Sequence, residues 1–216
     1  MSEPSESTLR DQIVSVMRLM DQRGLNRGTS GNVSARYKDG LLVTPSGVIP
    51  EELTADSVVF VGPDGESPPG AARPSSEWRM HAGLYARRPD AGAVVHCHAR
   101  HATILACAGK PIPPLHYMVG VSGRAWVPLA PYQPFGSIEL ADAVADAMEG
   151  GLACLMANHG LITVGRTLSR ALAVAEEMEE QAAVYCGTLA IGGPNLLSED
   201  QMADIFQRFK SYGQKR

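Results

Sequence analysis

Apolar positions along the chain follow two spacings. Leu9, Ile13, Val16, Met17 and Met20 recur on one helical face, which predicts a helix from Thr8 to Arg23. Thr8 and Asp11 have capping-box spacing, and Gly24 stops the run. Asn32–Tyr37 and Leu41–Thr44 flank Lys38-Asp39-Gly40, which predicts a hairpin. A short strand over Ser57–Val61 is closed by Pro63-Asp64-Gly65. Helices follow at Ser76–Arg87, Ala102–Ala108, Ile138–Met148 and Leu168–Leu189, the last capped by Thr167. Strands are predicted at Ala93–Cys97, Ala125–Leu129, Leu152–Met156 and Leu161–Val164. Ser198 and Gln201 form a second capping-box pair for a last helix ending near Phe209. Hairpins mixed with strands that alternate with helices predict an α/β fold with a largely antiparallel sheet.

Composition narrows this picture. With 216 residues, 44% hydrophobic and 19% charged, the chain can bury a core as one domain over 1–216. Nineteen basic against 23 acidic residues give a net charge of −4, which argues against a nucleic-acid or anionic-membrane partner. No apolar run approaches the ~20 residues of a membrane span, and the polar N-terminus does not fit a signal peptide. Cys97, Cys107, Cys154 and Cys186 are too scattered for a zinc finger or a disulfide framework. Reduced thiols in a cytoplasmic protein are expected.

Candidate chemistry centres on Val94-Val95-His96-Cys97-His98. In a strand, His96 and His98 point to the same face, where they fit either a shared metal ion or two core imidazoles. His159 lies in Ala157-Asn158-His159-Gly160, at the end of a predicted strand. Three His ligands with an open fourth position match a catalytic rather than a structural zinc site. His81, His101 and His116 complete the set of six, and His101 is expected to be a supporting or surface residue.

Pro74-Ser75-Ser76-Glu77 opens a predicted helix. Ser76 and Glu77 suit simple capping, and they equally suit an anion cradle with a general base beside it. The turns Gly28-Thr29-Ser30-Gly31-Asn32 and Thr44-Pro45-Ser46-Gly47 offer further amides for an anion, although neither is a P-loop. Lys38, Lys110, Lys210 and Lys215 all fall in turns, loops or the tail. None is a candidate for the buried lysine that iminium chemistry needs, which favours a metal as electron sink.

The ordered blocks GTSGNVSARY, TPSG, PSSEWRMH, VVHCHA, LHYMVG, APYQPFG, ANHGL and FKSYG resemble the class II aldolase/adducin family from about Leu9 to Gly213. Ser46 stands where the family's aldolases carry Thr. The resemblance implies a three-layer α/β fold and a zinc ion held by His96, His98 and His159. Glu77 would ligate that zinc in the empty site, then act as general acid/base. Gly31, Asn32, Ser46, Gly47, Ser75 and Ser76 would bind phosphate. Tyr117, from a neighbouring subunit of a homotetramer, would donate a proton, and Phe135 and Tyr212 would shape an aldehyde pocket. The implied reaction is reversible cleavage of a phosphorylated ketose such as L-fuculose 1-phosphate to dihydroxyacetone phosphate and L-lactaldehyde. A 4-epimerase of L-ribulose 5-phosphate, a sugar-phosphate dehydratase or decarboxylase, and a non-catalytic adducin-like module are the alternatives.

Overall fold

The computed structural model describes residues 4–211, so Tyr212 lies outside the described residues. Seven strands form one sheet in the order β3-β2-β1-β4-β7-β6-β5. They are β1 (Asn32–Tyr37), β2 (Gly40–Val43), β3 (Val59–Val61), β4 (Ala93–Cys97), β5 (Leu129–Ala130), β6 (Ala153–Met156) and β7 (Gly160–Gly165). All neighbours are antiparallel except β5 and β6. Lys38 adopts φ 50° in the tight β1–β2 turn.

Helices cover both faces of the sheet. On one side lie α1 (Glu6–Gln22), α3 (Arg100–Cys107) and α5 (Leu168–Ala190), packed through Ile13, Met17, Leu105, Leu172 and Met178 onto Val33, Val95 and Leu161. On the other lie α2 (Trp78–Arg87) and α4 (Ile138–Ala147), packed through Met80, Leu84, Leu140 and Val144 onto Val43, Val94 and Ile162. The last helix is α6 (Glu199–Phe209). With helices on both sides, β4, β6 and β7 are buried on both faces. Each such Val, Leu or Ile contributes roughly 1.5–3 kcal/mol by leaving water.

Several expected boundaries shift. Helix α1 starts at Glu6 because the Ser5 hydroxyl accepts from the Thr8 N–H, so the cap lies upstream of the Thr8–Asp11 pair. Helix α2 starts at Trp78 with Glu77 as N-cap, because Ser75 accepts from the Glu77 N–H and Ser76 caps nothing. Residues 55–57 form a 3-10 turn, which shortens β3 to Val59–Val61. The predicted strand over 125–129 is reduced to Leu129–Ala130 plus a single bridge between Ile112 and Val127, because proline-rich chain leaves β5 only β6 to pair with. The Ser198–Gln201 capping box forms as expected.

Candidate active site

The site grows from the end of β4. His96 lies on the strand and is fully buried. Its Nδ1 lies 2.9 Å from the Leu161 carbonyl of β7, which fixes a hydrogen on that nitrogen and directs Nε2 away from the sheet. His98 follows just beyond the strand, with its Nε2 3.1 Å from that of His96. His159 enters from the turn between β6 and β7, where Asn158 takes φ 55°. The three rings surround one point, with centroids 4.8–5.1 Å apart. Gly160 makes this packing feasible: a Cβ there would sit 2.5 Å from the Cys97 carbonyl and 3.1 Å from the His98 ring.

Glu77 closes the cluster from the N-terminus of α2. Its Oε2 is 3.3 Å from His96 Nε2 and its Oε1 is 3.1 Å from His159 Nε2. Burial pushes this carboxyl up, but the charge of His96 and the close imidazoles of His159 and His96 outweigh burial and hold it below the usual carboxylate range. Burial likewise pushes His96 down, and the Glu77 carboxylate overrides it and holds that imidazole above its ordinary value.

These groups fit a divalent cation. His96 spends its Nδ1 hydrogen on Leu161, so a neutral His96 aims an Nε2 lone pair at the His98 nitrogen 3.1 Å away. With His98 also turning a bare nitrogen inward, the two lone pairs face each other, and a cation between them satisfies both. One nitrogen from each of His96, His98 and His159 lies within 4.8 Å of the others. Glu77 Oε1 is buried and lacks a well-formed hydrogen bond, as a fourth donor would. Three imidazoles with one carboxylate suit zinc and several other first-row ions.

A cavity of about 300 Å³ opens over the cluster, lined by Ser76, Glu77, His98, Tyr132, Phe135 and His159 among others. Phe135 lies on its rim, 74% exposed. The three expected phosphate turns are laced together beside it. Ser75 N–H donates to the Thr44 carbonyl, Ser46 N–H to the Arg73 carbonyl, and Val33 N–H to the Thr44 hydroxyl. Among the described residues, the N–H groups of Gly31, Gly47 and Ser76 have no protein acceptor and remain free for an anion. Ser46 has spent its N–H, so only its hydroxyl is available.

Two expected residues have different surroundings. The Asn32 carboxamide is engaged at both ends, its Nδ2 donating to Glu77 Oε2 at 2.8 Å and its Oδ1 lying 2.6 Å from His81 Nε2. Tyr117 does not line the metal cavity. It sits 48% exposed beside a separate hollow of about 470 Å³ with His116, Glu177, Arg208 and Phe209. His101 is tied to Glu179 of α5, whose carboxylate also caps α3. Lys38, Lys110 and Lys210 are exposed, as expected. No helix among the described residues is long and apolar enough to cross a membrane.

The sequence reading missed His81, Ser34 and Tyr85. Ser34 Oγ lies 2.7 Å from His81 Nδ1 and 2.8 Å from the Tyr85 hydroxyl. A signal was present: Glu77, His81 and Tyr85 recur every four residues on one helix face, and Asn32 and Ser34 share a strand face. Tyr132 and Asn158 on the cavity wall carried no such signal.

Residues 11–186 match the family model for the class II aldolase and adducin N-terminal domain. The chain belongs to the class II aldolase and adducin family. Among curated relatives, a 5-methylthioribulose-1-phosphate/5-deoxyribulose-1-phosphate aldolase of Rhodospirillum rubrum is 46% identical over 209 residues, 97% of this chain and 94% of that protein. An L-fuculose phosphate aldolase of Escherichia coli O6:H1 is 45% identical over 206 residues, 95% of each chain. A solved structure of an L-fuculose 1-phosphate aldolase superposes with a TM-score of 0.91 at 35% identity, covering 97% of this chain and 98% of that one. The fold is that of the class II aldolases, and the activity is that of a class II aldolase, a class that uses a divalent metal.

Proposed function

We propose that this chain is a zinc-dependent aldolase that interconverts a ketose 1-phosphate with dihydroxyacetone phosphate and a small aldehyde. The observation that carries the reading is the convergence of His96, His98 and His159 on an ionised Glu77, beside turns with free amides. L-Fuculose 1-phosphate is the first substrate to test, and the aldehyde is then L-lactaldehyde. A second reading, cleavage of 5-deoxyribulose 1-phosphate or its 5-methylthio analogue, is favoured by the equally similar relative of that name and by the aromatic cavity wall of Tyr132 and Phe135.

The chain's own residues supply orientation and proton transfer. The amides of Gly31, Gly47 and Ser76 and the hydroxyls of Ser46, Ser75 and Ser76 hold the phosphate, away from the bond that breaks. In the condensing direction, ionised Glu77 takes a proton from the hydroxymethyl carbon of dihydroxyacetone phosphate. The electron pair left on that carbon attacks the aldehyde carbonyl, forming the carbon–carbon bond, and the aldehyde oxygen takes a proton from Tyr117. In cleavage the same transfers run backwards: the hydroxyl proton goes to a deprotonated Tyr117 oxygen, the bond breaks, protonated Glu77 returns its proton to carbon, and exchange with water returns a proton to Glu77 and removes one from Tyr117. His96, His98 and His159 would hold a zinc ion, which would supply a positive charge to stabilise the negative charge developing on substrate oxygen.

Tyr117 is exposed and lies off the cavity of its own chain, which supports its delivery by a neighbouring subunit of a cytoplasmic homotetramer. The deciding experiment incubates metal-loaded protein with L-fuculose 1-phosphate, 5-deoxyribulose 1-phosphate and L-ribulose 5-phosphate, following aldehyde release and epimerisation together. Aldehyde and dihydroxyacetone phosphate from one of the 1-phosphates is the expected result. Conversion of L-ribulose 5-phosphate to D-xylulose 5-phosphate without cleavage of either 1-phosphate overturns it.

A further inference from the structure

Behind Glu77, and outside the reacting groups, lies a buried polar chain that links β1 to α2. Asn32, Ser34, His81 and Tyr85 are all buried, His81 fully so. Their contacts run without a break: Tyr85 hydroxyl to Ser34 Oγ 2.8 Å, Ser34 Oγ to His81 Nδ1 2.7 Å, His81 Nε2 to Asn32 Oδ1 2.6 Å, and Asn32 Nδ2 to Glu77 Oε2 2.8 Å.

The direction of every hydrogen in this chain follows from its far end. Asn32 presents its Nδ2 hydrogen to Glu77 Oε2, which accepts it at 2.8 Å. That turns the Asn32 carbonyl towards His81, whose Nε2 must then carry a hydrogen. The Nδ1 of a neutral His81 is left as an acceptor, filled by the Ser34 hydroxyl, and Ser34 in turn accepts from Tyr85. Burial drives His81 down to about 3, with the charge of His96 acting in the same sense against the opposing pull of Glu77, so the ring is neutral at ordinary pH. Every polar atom in the chain has a partner of the right kind. A carboxamide has near-equal ends: Glu77 takes its N–H and the His81 donor holds its oxygen, so the two together keep it from flipping.

We propose that His81 is a positioning residue for the aldolase reaction: its Nε2–H locks the Asn32 carboxamide so that Asn32 holds Glu77 Oε2 in place for proton transfer. Ser34 and Tyr85 fix the tautomer and ring orientation of His81. The inference rests on the reading of Glu77 as the acid/base group. It adds that the aim of this carboxylate is set by a residue that touches neither substrate nor metal.

The test compares metal-loaded wild type with His81→Leu and His81→Gln on whichever 1-phosphate the protein cleaves. Leucine removes the donor. Glutamine restores an N–H at nearly the same reach. His81→Leu is expected to lose about 10–100-fold in kcat, as other outer-shell partners do, with KM and metal content per chain near wild type. His81→Gln is expected to recover most of that loss. Protection of the Asn32 side-chain amide from hydrogen exchange should fall in His81→Leu and return in His81→Gln. Wild-type kcat in His81→Leu overturns the proposal, as do equal losses in both variants. If His81→Leu does not fold, Ser34→Ala loosens the same ring from its other side, and an unchanged kcat there is equally fatal. Glu77→Gln in the same assay separates the two readings. Full turnover in Glu77→Gln removes the acid/base role and the positioning role together, whereas an inactive Glu77→Gln beside a fully active His81→Leu removes only the second.

Discussion

His96 and His81 are both completely buried, and both belong to the network around Glu77, yet their ring nitrogens are used in opposite ways. His96 spends one nitrogen on Leu161 and turns the other into the cluster with His98 and His159. His81 spends both nitrogens on neighbouring side chains and turns nothing outward. The Glu77 carboxylate, opposing burial, holds His96 above its ordinary pKa, whereas burial drives His81 to about 3. Burial therefore does not distinguish an imidazole with a nitrogen free to bind from one with both nitrogens engaged. The count of committed ring nitrogens does.

The largest effects should fall on the uncommitted side of this comparison. His96→Ala is expected to lose the metal, read as bound divalent ion per chain, and with it all turnover. Glu77→Gln should keep the metal on the three imidazoles and lose about 10²–10⁴-fold in turnover, the usual worth of a positioned acid/base group. Wild-type turnover in Glu77→Gln would remove the carboxylate as acid/base group, and full metal content in His96→Ala would remove the uncommitted nitrogen as a metal ligand.

The two histidines also differ in how legible they were. His96 stood out because a partner two residues away, on the same strand face, announced a shared target. His159 stood out because it sits at a strand end in the same ordered set of blocks. The layered, largely antiparallel fold was equally legible, since it depends on local periods and turns. His81 was not, because its partners Ser34 and Asn32 lie 47 and 49 residues away and meet it only when β1 packs under α2. Boundary errors have a related cause. Ser5 and Thr8 both offer a side-chain oxygen for capping, and only the course of the chain shows that Ser5 holds it. Tyr117 was assigned by resemblance alone, and its own chain places it beside α5 and α6, away from the cavity.

A smaller effect sharpens the protonation difference. His81 has a folded pKa of about 3, below the ~6.5 expected when unfolded. Above pH ~6.5 both states are neutral there, so its share of stability is fully present. Below that, the unfolded chain takes up a proton that the folded chain refuses, and stability falls by ~1.4 kcal/mol per pH unit down to about pH 3. Urea unfolding of metal-stripped protein at pH 7 and pH 5 should therefore show wild type losing about 2 kcal/mol more than His81→Gln, which cannot titrate. Parallel losses in the two proteins would mean that His81 is charged in the folded state.

The smallest expected effect lies at the outer end of the supporting chain, at Tyr85. Its ring packs with Met80, Leu84 and Val94, and only its hydroxyl reaches Ser34. Tyr85→Phe keeps the packing and removes one buried hydrogen bond, for a loss of about 0.5–1.5 kcal/mol in unfolding free energy. Ser34 can still donate to His81 Nδ1, so the Asn32–Glu77 contact survives and kcat should stay within about twofold, well short of an outer-shell loss. The informative measurement is a double-mutant cycle with His81→Gln. Tyr85 and His81 share Ser34 as a partner, so their stability losses should fall short of additivity by about 0.5 kcal/mol or more. Strict additivity would mean that the tyrosine hydroxyl and the imidazole act separately, and that the committed state of His81 is set by Asn32 alone.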